Sequence, residues 1–421
     1  MQKAPVSPAD SLSERGRALL SQPPMAAYIG AHFERVGDLW APDNPGGYIP
    51  LCIAENGLMW DVLGPRLAAA EVPARALGYD VMTGSALFRE QLASFLGKHL
   101  LERAVRPEEV AVLAGAGTVL EMLFHGIADA GDAVLVPTPS YAGFWSDLET
   151  RDGLHVVPVH TEAQSDFALT VQALDAALAG SPHPVRALLF TSPDNPMGRL
   201  YTREEIATVR EWATGRGLHV VFDEIYGLSV YGDRPFVSVA RLGALGEKTH
   251  IVWAFSKDFG ASGLRCGVLI SENRDVIASV DALAYWGAVS GDTQSRLGQV
   301  VADDPWVSGY LAENRRRLAD AYAAVASALE EEGIPHLVPT AGFFALCDLR
   351  AFLSEPTFAA EEALWEELLE TQRVNLTPGG ACRIAEPGFF RLCFASQPTQ
   401  AIVAGIARVG ALLRGRERPP G

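Results

Sequence analysis

The chain has 421 residues, 48% of them hydrophobic, enough apolar material for two lobes rather than one small domain. A formal net charge of −17 argues against a nucleic-acid partner and against an anionic membrane surface. The five cysteines (Cys52, Cys266, Cys347, Cys382, Cys393) make no Cys-x-x-Cys pair, so no disulfide framework and no metal site is expected, and a cytoplasmic location is the default.

The first dozen residues read as a loose tail without an apolar signal core, and no run of about 18 apolar residues exists to span a membrane. Candidate strands follow at 110–114, 133–136, 154–159, 186–191, 218–222, 250–255 and 264–270. The third, fourth and fifth are rich in Val, Leu and Phe with little alternation, the pattern of strands covered on both faces. Helical spacing separates the strands, as at 119–128 and 203–214, so the expectation is an α/β domain around a mostly parallel seven-stranded sheet. The last two candidates, joined by a short glycine-bearing stretch, are expected to form the one antiparallel pairing. After about residue 295 the texture changes to a long charged helix (311–332), a strand (343–348), a helix (359–371), a strand (389–394), a last helix (400–413) and a Pro/Gly tail. This reads as a smaller α+β lobe.

Six short stretches carry chemistry. In SKDFGASGLRCG (256–267) a lysine at a strand end could form an imine with a cofactor aldehyde, and Ser256 and Arg265 could hold a phosphate. In FDEIYG (222–227) Asp223 falls at the carboxyl end of an apolar strand, where ligands of open α/β sheets bind. A buried carboxylate needs a cation, and a protonated pyridine nitrogen is one; the competing reading is a helix N-cap. Tyr226 could reach the ring's phenolic oxygen, and so could Asn195 of TSPDNPMG (191–198), which Pro196 holds out of the helical region. In AGAGTVLE (114–121) a strand gives way at once to a helix, whose free N–H groups at Ala116, Gly117 and Thr118 favour a phosphate. Leu120 stands where a dinucleotide fingerprint has its third glycine. Tyr141 of PTPSYAGF (137–144) could stack on the cofactor ring. Arg391, in the otherwise apolar EPGFFRLCF (386–394), is costly to bury without an anion; a substrate α-carboxylate or a structural salt bridge would supply one.

Taken together and in this order, these stretches resemble the fold-type I enzymes that use pyridoxal 5′-phosphate. Within them the chain looks most like the 1-aminocyclopropane-1-carboxylate synthases. The similarity runs from about Asn44 to Phe394 and includes NPGGYIPLCIAENGL (44–58), GDAVLVPTPSYAGF (131–144), FVSVA (236–240) and AGFFALCDLR (341–350). It implies an aspartate-aminotransferase-like fold: an N-terminal arm with part of the small domain over 1–55, a large cofactor domain over 56–295 and a small domain over 296–421. It also implies Lys257 as imine lysine and acid/base, with Asp223, Asn195 and Tyr226 tuning the ring. Ser256, Arg265 and the 116–118 loop would take the phosphate, and Arg391 the substrate carboxylate. Glu55 would sit near the sulfonium of S-adenosyl-L-methionine, an opposite charge facing it.

The implied reaction is α-proton removal and loss of methylthioadenosine, with or without a second small-molecule substrate. The alternative is an aminotransferase using the same residues. Family proteins are homodimers with shared sites, and Tyr28 and Tyr79 are candidates to serve across the interface. The chain departs from the resemblance at Met82, where a tyrosine is usual, at Ala254, where a phosphate-binding serine is usual, and in the loop Gly115-Ala116-Gly117-Thr118.

Overall fold

The computed structural model describes residues 11–21 and 23–416; residues 1–10 of the expected leading tail and 417–421 of the Pro/Gly tail lie outside the described residues. Seven strands make the central sheet: β1 (Val110–Leu113), β2 (Ala133–Thr138), β3 (His155–His160), β4 (Val185–Thr191), β5 (His219–Asp223), β6 (Thr249–Ala254) and β7 (Gly267–Ser271). Their order is β1-β7-β6-β5-β4-β2-β3. The pairs from β3 through β6 are parallel.

β7 is antiparallel both to β6 and to β1, so the sheet has two antiparallel pairings where one was expected. The reason is geometric. β1 runs in the same direction as the parallel set, so a single reversed strand lying between β6 and β1 must oppose both.

Alternation along the strands shows that both faces are covered. Val110 and Val112 join one apolar core, with Phe190, Val220 and Trp253, while Ala111 and Leu113 join the other, with Val134, Val221 and Val252. Helix α2 (Ala116–Ile127) closes the second core through Val119, Leu120 and Leu123. Helix α3 (Arg203–Gly215) closes the first through Ile206, Val209 and Trp212. Its start is fixed by a capping box: Thr202 Oγ1 accepts from the Glu205 N–H at 3.2 Å, and Glu205 Oε2 accepts from the Thr202 N–H at 2.7 Å.

A third core unites Tyr28 of helix α1 (Ala27–Arg35) and the segment Tyr48, Ile49, Leu51 and Cys52 with the C-terminal lobe. That lobe holds a four-stranded antiparallel sheet in the order β10-β11-β9-β8, from β8 (His336–Leu337), β9 (Phe344–Asp348), β10 (Thr377–Pro378) and β11 (Phe389–Cys393). Helices α6 (Phe358–Gln372) and α7 (Thr399–Arg414) pack on it.

The two lobes are joined by α5 (Asp304–Glu331), 28 residues and, at 1.5 Å per residue, about 42 Å long. Val307, Tyr310 and Leu311 of α5 belong to the first core, and Leu318, Ala321 and Val325 to the third. The changeover therefore falls between Leu311 and Leu318, later than the change of texture near residue 295. All five cysteines are free and buried. Among the described residues no helix is long and apolar enough to cross a membrane.

Candidate active site

Three neighbouring parallel strands end together. Thr191 of β4 pairs with Asp223 of β5, and Asp223 with Val252 of β6. At or just beyond these ends the chain places Asp223, the last residue of β5, Asn195 and, in the one-turn helix α4 (Phe255–Asp258), Lys257. The ladder thus brings together three of the residues singled out in the sequence.

Lys257 donates from Nζ to the Ala54 carbonyl at 2.6 Å. Burial lowers its pKa from 10.5 to about 8; Cys393, Glu55 and Asp223 pull it up, and Arg391 pushes it further down. An amine so placed keeps a share of its neutral, nucleophilic form near pH 7. Asp223 is 6% exposed, and burial raises its carboxyl to about 7, against the pull of the Ile225 N–H and Lys257. The Ile225 N–H reaches Oδ1 at 3.2 Å, and no cationic side chain among the described residues hydrogen-bonds to it. Lys257 acts on this buried acid only through space, and the hydrogen-bonded cation that such a group ordinarily requires is not among the described residues.

Tyr226 is buried against the edges of Phe343 and Phe344, and its hydroxyl accepts from Asn195 Nδ2 at 3.5 Å. Asn195 Oδ1 in turn accepts from Arg391 Nη1 at 3.0 Å. Arg391 lies in β11, in register with Leu346 and Thr377, and is 1% exposed. Its Nη2 donates to the Cys52 carbonyl at 2.6 Å and to Thr377 Oγ1 at 2.9 Å, while Nε has no partner among the described residues. All its acceptors are neutral, so the structural salt bridge left open by the sequence is not what holds it. An anion remains to be supplied.

The phosphate candidates meet at the start of α2. Gly115 precedes the helix with φ +94°, and a Cβ there would collide with the Arg265 guanidinium. A Cβ on Gly267 would come within 2.5 Å of the Gly115 carbonyl carbon. Both glycines therefore permit Arg265 and β7 to close on the N–H groups of Ala116, Gly117 and Thr118. The Thr118 hydroxyl donates to the Ala114 carbonyl at 3.1 Å. Ser256 is buried in α4. Tyr141 keeps 38% of its surface exposed and meets Phe144 edge-on, with ring centroids 5.3 Å apart.

Three further candidates lie outside the cluster of hydrogen-bonded site residues. Tyr28, a candidate for reaching a partner subunit, is buried in its own chain, where the charge of Arg391 acts on its hydroxyl. Tyr79 is 98% exposed and lines a separate cavity of about 920 Å³ with Tyr285 and Ser290, away from the Lys257 cluster. Glu55 is exposed, and its side chain joins the site only through its charge on Lys257.

Sequence reasoning passed over Asp147 and Thr377. Asp147 lies 3.8 Å from where a Gly117 Cβ would stand; burial and Glu121 raise its carboxyl to about 6, while Arg265 lowers it. Nothing in its spacing separates it from an ordinary helix-surface acid. Thr377 is identified only by the pairing of β10 with β11.

An unpaired carboxylate, a lysine of reduced basicity and a helix start under a guanidinium ask for a cationic ring, a carbonyl and a phosphate in one molecule. Pyridoxal 5′-phosphate carries all three, and the residues present fit it. The fold and site define a pyridoxal-phosphate enzyme of the aspartate-aminotransferase fold. Residues 66–409 match the aminotransferase class I and II family, to which the chain belongs.

Among curated relatives, the 1-aminocyclopropane-1-carboxylate synthase 4 of Oryza sativa subsp. japonica is 34% identical, covering 89% of this chain and 84% of its own. The 1-aminocyclopropane-1-carboxylate synthase-like protein 1 of Bos taurus is 36% identical, covering 89% and 77%. Among solved structures, the aspartate aminotransferase from Thermus thermophilus with maleate aligns with a TM-score of 0.78 at 22% identity, covering 95% of this chain and 99% of that one. The aromatic aminotransferase from Pyrococcus horikoshii OT3 aligns with a TM-score of 0.77 at 23% identity, covering 91% and 98%. At such identity these structures speak for the fold alone.

Proposed function

We propose that the enzyme acts on S-adenosyl-L-methionine, removing the α-proton and expelling methylthioadenosine from the γ-carbon, to give a cyclopropane amino acid or a γ-substituted product. The observation that carries this reading is Glu55, an exposed carboxylate whose side chain has no hydrogen-bond partner among the described residues, set close enough to Lys257 for its charge to act there. A carboxylate so placed suits a substrate with a positive sulfur. The names of the curated relatives support the same reading.

Pyridoxal phosphate, when bound, supplies an electron sink conjugated to the substrate α-carbon. Asp223 would hold the proton on the ring nitrogen, which would give its buried charge a partner. Asn195 and Tyr226 would hydrogen-bond to the ring's phenolic oxygen, and Tyr141 would cover the ring face. The N–H groups of 116–118, Ser256 and Arg265 would hold the phosphate. Arg391 would grip the substrate carboxylate with its fork, Tyr28 would close the wall beside it, and the amine of Lys257 would take the α-proton. We assign Tyr79 to the partner subunit's site in a homodimer, because its exposed ring has no use in its own chain.

Incubation with S-adenosyl-L-methionine and mass analysis tests the proposal. Release of methylthioadenosine, lost on Lys257→Ala, is expected. Conversion of the cofactor to its amine form by an amino donor, with no methylthioadenosine released, would establish transamination instead.

A further inference from the structure

Several buried polar side chains behind Lys257 are not used by the site as described. Asp258 is 0% exposed; its Oδ1 accepts from the Ser229 hydroxyl at 2.6 Å, and its Oδ2 from Trp253 Nε1 at 2.8 Å and the Leu228 N–H at 3.2 Å. Its main-chain carbonyl accepts from Asn314 Nδ2 at 3.5 Å. Asn314, also 0% exposed, accepts through Oδ1 from Asn56 Nδ2 at 2.8 Å. Asn56 Oδ1 takes the Leu58 N–H at 3.1 Å. The Asn56 carbonyl lies so close to Gly260, at φ +61°, that no side chain could stand there.

Two residues before Asn56, the Ala54 carbonyl receives the Lys257 amine. The contacts therefore close a circuit that runs from Lys257 to Ala54, along the chain to Asn56, across to Asn314 and back through Asp258. Asparagine is a weak helix former, and a buried amide is costly unless it is satisfied. This one sits in α5 at the place where the helix leaves one core for the other, between Leu311 and Leu318.

We propose that Asn314 is a positioning residue for Lys257: it pins the 54–56 segment to the Lys257 turn, keeps the Ala54 carbonyl on the lysine nitrogen, and transmits the setting of the interdomain helix to that nitrogen. This rests on the reading of Lys257 as the cofactor lysine. The charged and titratable groups that act on Lys257 are Asp223, Glu55, Arg391 and Cys393, and none of them is altered by changing Asn314. Loss of the Ala54 acceptor removes a charge-assisted hydrogen bond that favours the protonated amine.

The test uses the full-length chain stripped of cofactor and mixed with pyridoxal phosphate. The rate at which the visible band appears is measured against pH, and its midpoint reports the lysine. Asn314→Ala is expected to lower the midpoint by about one pH unit, and Asn56→Ser, which spares α5, to lower it in the same direction. A role confined to stability would shift the melting temperature and leave the midpoint in place. Folded variants with an unchanged or raised midpoint overturn the proposal. If Asn314→Ala does not fold, Asn56→Ser decides alone. A wild-type chain that forms no band at all refutes a different claim, the assignment of Lys257.

Discussion

The missing counter-charge of Asp223 can be weighed directly by Asp223→Asn in the cofactor-free protein. Burial raises the folded-state pKa of this carboxyl from 3.8 to about 7. The folded chain therefore holds the proton more tightly than the unfolded one. The associated stability is fully present below pH 3.8 and is lost as pH rises through about 7. Roughly three units at about 1.4 kcal/mol each set a ceiling near 4 kcal/mol, and relaxation and water entry reduce it to about 2–4 kcal/mol.

The amide introduced by Asp223→Asn stays neutral at every pH. Denaturant unfolding at pH 3.5 to 8.5 should show wild type and variant converging at the acid end. At pH 8 the apo variant should be the more stable by that amount. Asp194 and Asp258 are also raised by burial and tilt both curves alike, while Glu224 and Lys257, which feel the Asp223 charge, shift with it, so the difference reports Asp223 together with these neighbours. Adding pyridoxal phosphate should reverse the ranking, because only the carboxylate can pair with a protonated ring. Parallel curves for the two apo proteins would refute the account of Asp223 as an uncompensated buried acid.

Arg391→Lys keeps the charge but loses the planar fork, and should lower kcat/KM by about 100-fold, measured by steady-state kinetics, with the cofactor band unchanged. Gly115→Ala forces a Cβ into the Arg265 guanidinium at a positive φ; it should weaken pyridoxal-phosphate binding at least about tenfold in an equilibrium titration. Tyr79→Ala and Lys257→Ala should each impair turnover as pure proteins. Mixing and re-dissociating the two should restore a share of activity through hybrid dimers that carry one intact site; no recovery would remove Tyr79 from the partner subunit's site.

Much of the fold was legible because its signals were local. The Val- and Leu-rich runs of β2 to β6 and the long periodic stretch of α5 announce themselves without tertiary context. The second antiparallel pairing was not, because the place of β1 at the sheet edge depends on contacts far apart in sequence. Lys257, Asp223 and Asn195 could be picked out from motifs because each lies at or soon after a strand end. Asn56, Asn314 and Asp258 could not, since what matters about them is mutual contact across 258 positions of chain. The burial of Tyr28 beside Arg391 was not legible for a similar reason: it arises only when the N-terminal segment docks on the C-terminal lobe.

Of the groups proposed to meet the cofactor, Asp223 closes β5 while Asn195 and Lys257 follow the neighbouring strands β4 and β6, so the placement of these three is set by one stretch of the sheet. Glu55, Tyr28 and Arg391 are carried by segments of the other lobe. A lineage could therefore exchange one amino-acid substrate for another by remodelling that lobe while the machinery under the ring stayed untouched. Two independent supports for two halves of one task give this architecture its latitude for new reactions.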